Sequence, residues 1–198
     1  DYYDFNVGMD GTLTVVIGDA TGHGMRAGTM VTSAKSLFNS YSANPDIIFT
    51  FREMTRCIKQ MQFQSLAMSM TMLKIRNNRL IMSAAGMPPV YLFRNKHKII
   101  EEHLMEGMPL GTMDNFPYEL KEMDLFSGDT ILLMSDGFPE LNNQQNEMFG
   151  YKRAKNSFEE VAEKEPERII TYLKEVGSSW TNDKDPDDDV TFVVIKVK

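Results

Sequence analysis

The stretch T-L-T-V-V-I-G-D-A-T-G-H-G, residues 12–24, runs an apolar, β-branched segment into a carboxylate and then into a glycine-punctuated loop. Its core, Val15–Ile17, reads as a buried strand, and Gly11 and Gly18 bound a strand predicted over Thr12–Ile17. Gly22 and Gly24 make the loop that follows. Ala27, Met30, Val31, Ala34, Leu37, Phe38 and Tyr41 then recur at helical spacing, which predicts a helix over Met25–Tyr41.

Asn44-Pro45 ends that helix and offers the next one an N-cap and an N1 proline, so a second helix is predicted over Pro45–Met61. Two runs from Ala67 to Met82 flank Asn77-Asn78, a hairpin signal, and Val90–Arg94 with Ile99–Glu102 flank a charged turn. Tyr118–Met123 and Thr130–Met134 continue the β pattern across Ser127-Gly128. Pro166 opens a last helix with Ile169, Ile170, Leu173, Val176 and Trp180 along one stripe, and Val190–Val197 reads as a closing strand. Asn142–Glu147 and Ser178–Asp187 read as loops. The order is strand, helices, antiparallel strands, helices, strand: an α+β domain with helices against a sheet or a sandwich of sheets.

Five acidic positions stand out: Asp1 and Asp4 in D-Y-Y-D-F, Asp19, Asp136 after I-L-L-M-S, and Asp188 before the last apolar run. A carboxylate at the end of a buried strand is costly unless it is paired or binds a cation. The recurrence of this arrangement along the chain predicts strand ends converging on one metal cluster, and oxygen-only ligands favour Mg²⁺ or Mn²⁺ over zinc or copper. Taken singly, Asp136-Gly137 is also an ordinary turn, and Asp187–Asp189 also an ordinary solvated loop.

A chain of 198 residues with 42% hydrophobic and 25% charged residues fits one soluble domain, 1–198. The net charge of −7 opposes nucleic-acid binding. No apolar run has the length of a membrane span and no signal peptide opens the chain. A cytoplasmic setting is expected, with membrane tethering of a longer protein left open. Cys57, the only cysteine, rules out an internal disulfide and reads as a small core residue. Met68, Met70 and Met72, within Ser65–Ile75, alternate onto one strand face. With no histidine or cysteine beside them, they read as core packing rather than a copper site.

At these residues the chain resembles the metal-dependent, type 2C-like serine/threonine protein phosphatases, most closely their bacterial SpoIIE/RsbU-like branch. The resemblance rests on D-Y-Y-D-F, I-G-D-A-T-G-H-G, A-A-G-M-P-P, P-L-G, S-G-D-T-I-L-L-M-S-D-G and D-D-D-V-T-F-V-V, in family order along essentially the whole chain. It implies a β-sandwich of two antiparallel sheets flanked by helices, with two Mn²⁺ or Mg²⁺ ions at one end. Carried over, Asp1, Asp19, Asp136 and Asp188 are metal ligands, with Asp19 bridging and Ala20 lending its backbone carbonyl. Asp187 and Asp189 stay open as alternatives to Asp188. The glycine preceding the family's first aspartate is absent, and Met87 replaces a residue polar in many relatives. The short segment from Leu141 to Tyr151 lacks the extra metal-binding flap of eukaryotic relatives.

The chemistry so implied is hydrolysis of a phosphoprotein by in-line attack of a hydroxide held between two ions, with no protein nucleophile. Asp19 and Asp136 are the catalytic carboxylates in this reading, and Ser135 is structural. His23 suits either a general acid for the leaving alkoxide or a plain loop histidine, while His97 and His103 read as surface residues. Gly22 and Gly24 suit either a close backbone approach to the bound phosphate or ordinary loop flexibility. The resemblance further implies an anti-sigma-factor antagonist or similar signalling protein as substrate. It also implies an upstream sensor domain in cis, acting through the first two helices, and leaves room for a homodimer. The rivals are a catalytically silent phosphatase-fold binding domain and a two-metal nucleotide hydrolase. The filled acidic positions oppose the first, and the negative charge opposes the second.

Overall fold

A computed structural model describes residues 1–62 and 66–198, and the chain divides into two compact units. Asp1–Met87 with Met105–Asp124 form the first; Pro88–Leu104 with Leu125–Lys198 form the second. The first unit begins with β1 (Tyr2–Val7), β2 (Leu13–Ala20), α1 (Met25–Tyr41), α2 (Ile47–Gln60), β3 (Met68–Arg76) and β4 (Arg79–Ala85). The chain then runs through β5 (Val90–Arg94), β6 (Ile99–His103), β7 (Lys121–Asp124) and β8 (Thr130–Met134). It ends with α3 (Gly150–Val161), α4 (Pro166–Thr181) and β9 (Phe192–Lys196). Two antiparallel sheets with helices bear out the α+β class.

The first unit carries a five-stranded sheet in the order β1-β2-β3-β4-β7. One core joins Met30, Ala34 and Phe38 of α1 and Phe51, Met54 and Ile58 of α2 to Val16, Met70 and Met72 of the sheet. Met68, Met70 and Met72 are all fully buried, so their alternation is packing. Ser65, where that run was expected to begin, lies outside the described residues. The Asn77-Asn78 hairpin forms between β3 and β4, with both residues at positive φ (49° and 60°), as a type I′ turn requires.

The second unit carries a four-stranded sheet in the order β6-β5-β8-β9. Its core gathers Tyr91, Leu132 and Phe138 with Phe158 of α3 and Ile169 and Leu173 of α4.

Several boundaries differ from expectation. The D-Y-Y-D-F stretch is itself a strand, β1, paired with β2 from Tyr2↔Gly18 to Val7↔Leu13. β2 runs on to Ala20, because β3 continues opposite it through Asp19↔Ser69 and Ala20↔Met68. Helix α2 starts at Ile47 rather than Pro45. Its N-cap is Asp46, whose carboxylate accepts the Phe49 N–H, while Asn44 caps the preceding turn by accepting from the Asp46 N–H. Helix α4 carries Ser178–Thr181, expected as loop, and stops where Asn182 turns left-handed at φ 55°. The β pattern expected over Tyr118–Met123 is a strand only from Lys121 to Asp124, and that strand and β8, on either side of Ser127-Gly128, belong to different sheets.

Candidate active site

On the first unit the acidic positions are set by β1 and β2. Asp19 and Ala20 are the last two residues of β2. Ala20 is buried, and the Asp19 side chain is 30% exposed, 3.9 Å from the α-amino group of Asp1. The Asp1 side chain is only 8% exposed. Gly18 explains how β2 reaches this point. A Cβ there would stand 2.5 Å from the Ser69 carbonyl oxygen and 2.7 Å from Met68 Cε, so only glycine lets β3 lie this close beside Asp19.

Asp4 is held differently. Lys35 of α1 donates to it at 2.7 Å, and the Tyr2 hydroxyl and Phe5 N–H donate to it as well. Burial raises its pKa, but these three donors outweigh burial and hold it below the usual carboxylate range. It ties β1 to α1.

His23 is exposed in the loop ahead of α1. Gly22 and Gly24 sit at φ 86° and 73° with nothing near a would-be Cβ. Their backbone conformation alone accounts for glycine there.

On the second unit, β8 delivers Asp136 two residues past its end, and the segment before β9 delivers Asp188. Three hydrogen bonds lock these segments together. The Ser135 N–H donates to the Thr191 carbonyl at 3.1 Å. The Ser135 hydroxyl accepts the Thr191 N–H at 2.9 Å and donates to the Asp189 carbonyl at 3.2 Å. Ser135 is thus the structural residue expected. Gly137 lies against the same carbonyl. Asp188 caps its own segment by accepting the Asp189 N–H at 2.7 Å.

Glu140 is the residue that sequence reasoning missed. Its N–H bonds the Asp136 carbonyl at 3.0 Å, a turn that returns it towards Asp136. Burial, then the charges of Asp136 and Asp188, push its pKa up, and Tyr151 is raised by burial and by Asp136 and Glu140. The signal available was the D-G-F-P-E spacing, which places Glu140 one helical turn after Asp136. A cavity of about 260 Å³ opens here, lined by Gly137, Glu140 and the 184–188 segment.

The second unit therefore gathers Asp136, Asp188 and Glu140 in one electrostatic neighbourhood, while on the first unit the Asp19 carboxylate lies beside the Asp1 backbone nitrogen. Among the described residues, no three of His, Cys, Asp and Glu stand as a closed metal cage. The donors are all hard oxygens, and the mutual repulsion registered at Glu140 is what a divalent cation relieves, so the residues suit Mg²⁺ or Mn²⁺. His97 is exposed, whereas His103 is half-buried and its ring Nε2 lies 3.3 Å from Glu101.

Comparison with known proteins gives the family and the fold. The family model described as stage II sporulation protein E (SpoIIE) matches residues 9–198. No curated protein sequence matches. Among solved structures, the chain is similar to the SiaA-PP2C domain of Pseudomonas aeruginosa at 17% identity and a TM-score of 0.86, covering 100% of this chain and 80% of that one. It is similar to the RsbU and RsbW domains of a Mycobacterium tuberculosis protein at 24% identity and a TM-score of 0.81, covering 99% of this chain and 54% of that one. It is also similar to the Bacillus subtilis SpoIIE phosphatase domain with a fragment of its regulatory domain. The identity there is 18% and the TM-score 0.80, covering 99% of this chain and 58% of that one. The chain thus spans little more than half the length of the last two.

Proposed function

The chain belongs to the stage II sporulation protein E family, which makes it a type 2C-like protein-serine/threonine phosphatase domain, and from that premise we propose that it hydrolyses phosphoserine or phosphothreonine in a bacterial signalling protein. The observation that carries this reading is the Asp136–Gly137 strand end held against Asp188–Asp189, with Glu140 perturbed beside it. We assign Asp1, Asp19 and the Ala20 carbonyl as metal ligands on the first unit, and Asp136 and Asp188 on the second. RsbX, which has this fold at a TM-score of 0.68, is described in complex with magnesium. Bound divalent ions supply Lewis-acid activation of water and neutralise the phosphoryl oxygens for in-line displacement.

The chain's own residues prepare for that chemistry. Gly18 seats β2 so that Asp19 projects at a fixed place, and Ser135 fixes Asp136 relative to Asp188. His23, exposed on its loop, can offer a proton to the leaving alkoxide, a role that a His23→Ala variant isolates. An anti-sigma-factor antagonist is the substrate type this reading favours, with a sensor domain in cis. The regulatory-domain fragment in the SpoIIE structure and the RsbW domain in the mycobacterial one support that arrangement. Among the described residues no helix is long and apolar enough to cross a membrane.

The deciding experiment measures Mn²⁺-dependent phosphate release from para-nitrophenyl phosphate, a phosphopeptide and a dinucleotide. Turnover of the first two supports the proposal. No turnover on any substrate points to a silent binding domain, and turnover of the dinucleotide alone to a nucleotide hydrolase.

A further inference from the structure

A second cavity, of about 360 Å³, lies wholly within the second unit, between α4 and the segment entering β9. Phe138, Leu173, Val190 and Phe192 make its walls, and Lys174 and Lys184 stand at its edge. Its composition, an apolar lining with a few charged groups, is that of a binding pocket rather than a packing defect. It shares Leu141, Thr181, Lys184 and Pro186 with the acidic cavity bordered by Asp188. The two cavities are therefore neighbours along one continuous surface.

Charge distinguishes them. The first is rimmed by Glu140, Asp185, Asp187 and Asp188. The apolar one has no carboxylate in its lining and carries Lys174, with Lys184 on the border common to both, in a chain whose net charge is −7. Lys184 reaches Asp187 at 3.2 Å, whereas Lys174 makes no ion pair among the described residues. An acidic group arriving here meets the local cations of an otherwise repelling protein.

We propose that this cavity is a docking subsite for the phosphoprotein: it takes a large apolar side chain of the substrate segment, with a neighbouring acidic residue of that segment facing Lys174 and Lys184. The inference rests on the phosphatase reading above. The cavity is large enough for a leucine or phenylalanine side chain. A phosphate in the adjoining acidic cavity would lie within a few residues of chain from it. Selection would come from burying that side chain, so it would act on substrate capture rather than on turnover.

The test compares two phosphopeptide sets with the whole chain in Mn²⁺. One scans Leu-Glu pairs through positions on both sides of the phosphoserine; the other carries Ala-Gln at the same positions. The best Leu-Glu peptide is expected to exceed its Ala-Gln counterpart roughly tenfold in kcat/KM, through KM, as burial of one leucine predicts. Ser178→Trp, at an exposed α4 position on the cavity mouth, should abolish that preference, and Lys174→Glu should remove its acidic part. Both should leave para-nitrophenyl phosphate turnover unchanged. Equal rates for the two sets, or a preference that survives Ser178→Trp, overturns the subsite. If no substrate is turned over, the phosphatase reading fails separately. Fluorescence anisotropy of the labelled peptides then still decides whether the cavity selects Leu-Glu.

Discussion

Gly137 packs directly on the Asp189 carbonyl: a Cβ built on Gly137 would fall 2.1 Å from that oxygen and 2.9 Å from its carbon. The glycine after Asp136 is therefore a fitting requirement between two acidic segments, more than the turn residue that Asp-Gly suggests in isolation. Backbone cannot yield to a methyl group as the end of a flexible side chain can. The contact fixes how closely Asp136 and Asp188 approach.

Gly137→Ala should accordingly destabilise the chain by about 1–3 kcal/mol, the usual cost of overpacking. It should also lower phosphatase activity on the order of a hundredfold by shifting the carboxylates. Thermal unfolding and phosphate release measure the two effects. Parental activity in a folded Gly137→Ala protein would detach this contact from the site.

Asp136→Asn and Asp19→Asn should each abolish Mn²⁺-dependent activity without unfolding the protein. In the metal-free state Asp136→Asn should be at least as stable as the parent, because it removes a like charge facing Glu140 and Asp188. Unfolding in a chelator checks the second statement. A variant that keeps most of the parental rate is not a metal ligand.

Lys74 yields a pH prediction remote from the active site. It is buried, 5% exposed, and donates to the Thr14 hydroxyl at 2.9 Å and the Ser42 carbonyl at 2.6 Å. Burial pulls its pKa from 10.5 to about 8, against a weaker upward pull from Asp10. The folded state thus holds fewer protons than the unfolded state between these values. The cost of burying the charge is present in full below pH 8 and is relieved as pH rises towards 10.5. Denaturant titrations across that range should show parental stability gaining on that of Lys74→Met as pH rises. A constant difference between the two proteins would refute the assignment.

The caps of α2 separate two readings of one segment. Asp46→Ala should cost about 1 kcal/mol by removing the acceptor for the Phe49 N–H. Asn44→Ala should cost less, since it caps a turn and not the helix. Urea unfolding of both variants compares them, and a larger effect at Asn44 would restore the earlier helix start.

The sequence by itself determined the strand that leads to Asp19, the helix Met25–Tyr41 and the Asn77-Asn78 hairpin. Each follows from local periodicity or from backbone preferences carried by the residues themselves. It also supplied the acidic candidates, because a carboxylate abutting a β-branched run is visible without a fold. Tertiary structure alone decided the rest. D-Y-Y-D-F becomes a strand only because β2 lies beside it. β7 and β8 join different sheets although they are close neighbours in the chain. Glu140 becomes an electrostatic partner of Asp188 only when β8 and β9 pair. Strand pairing and burial are long-range terms, set by which segments meet. Gly18 and Gly137 carry no sign in sequence of the backbone that presses on them, because the atoms excluding a side chain there belong to residues about fifty positions away.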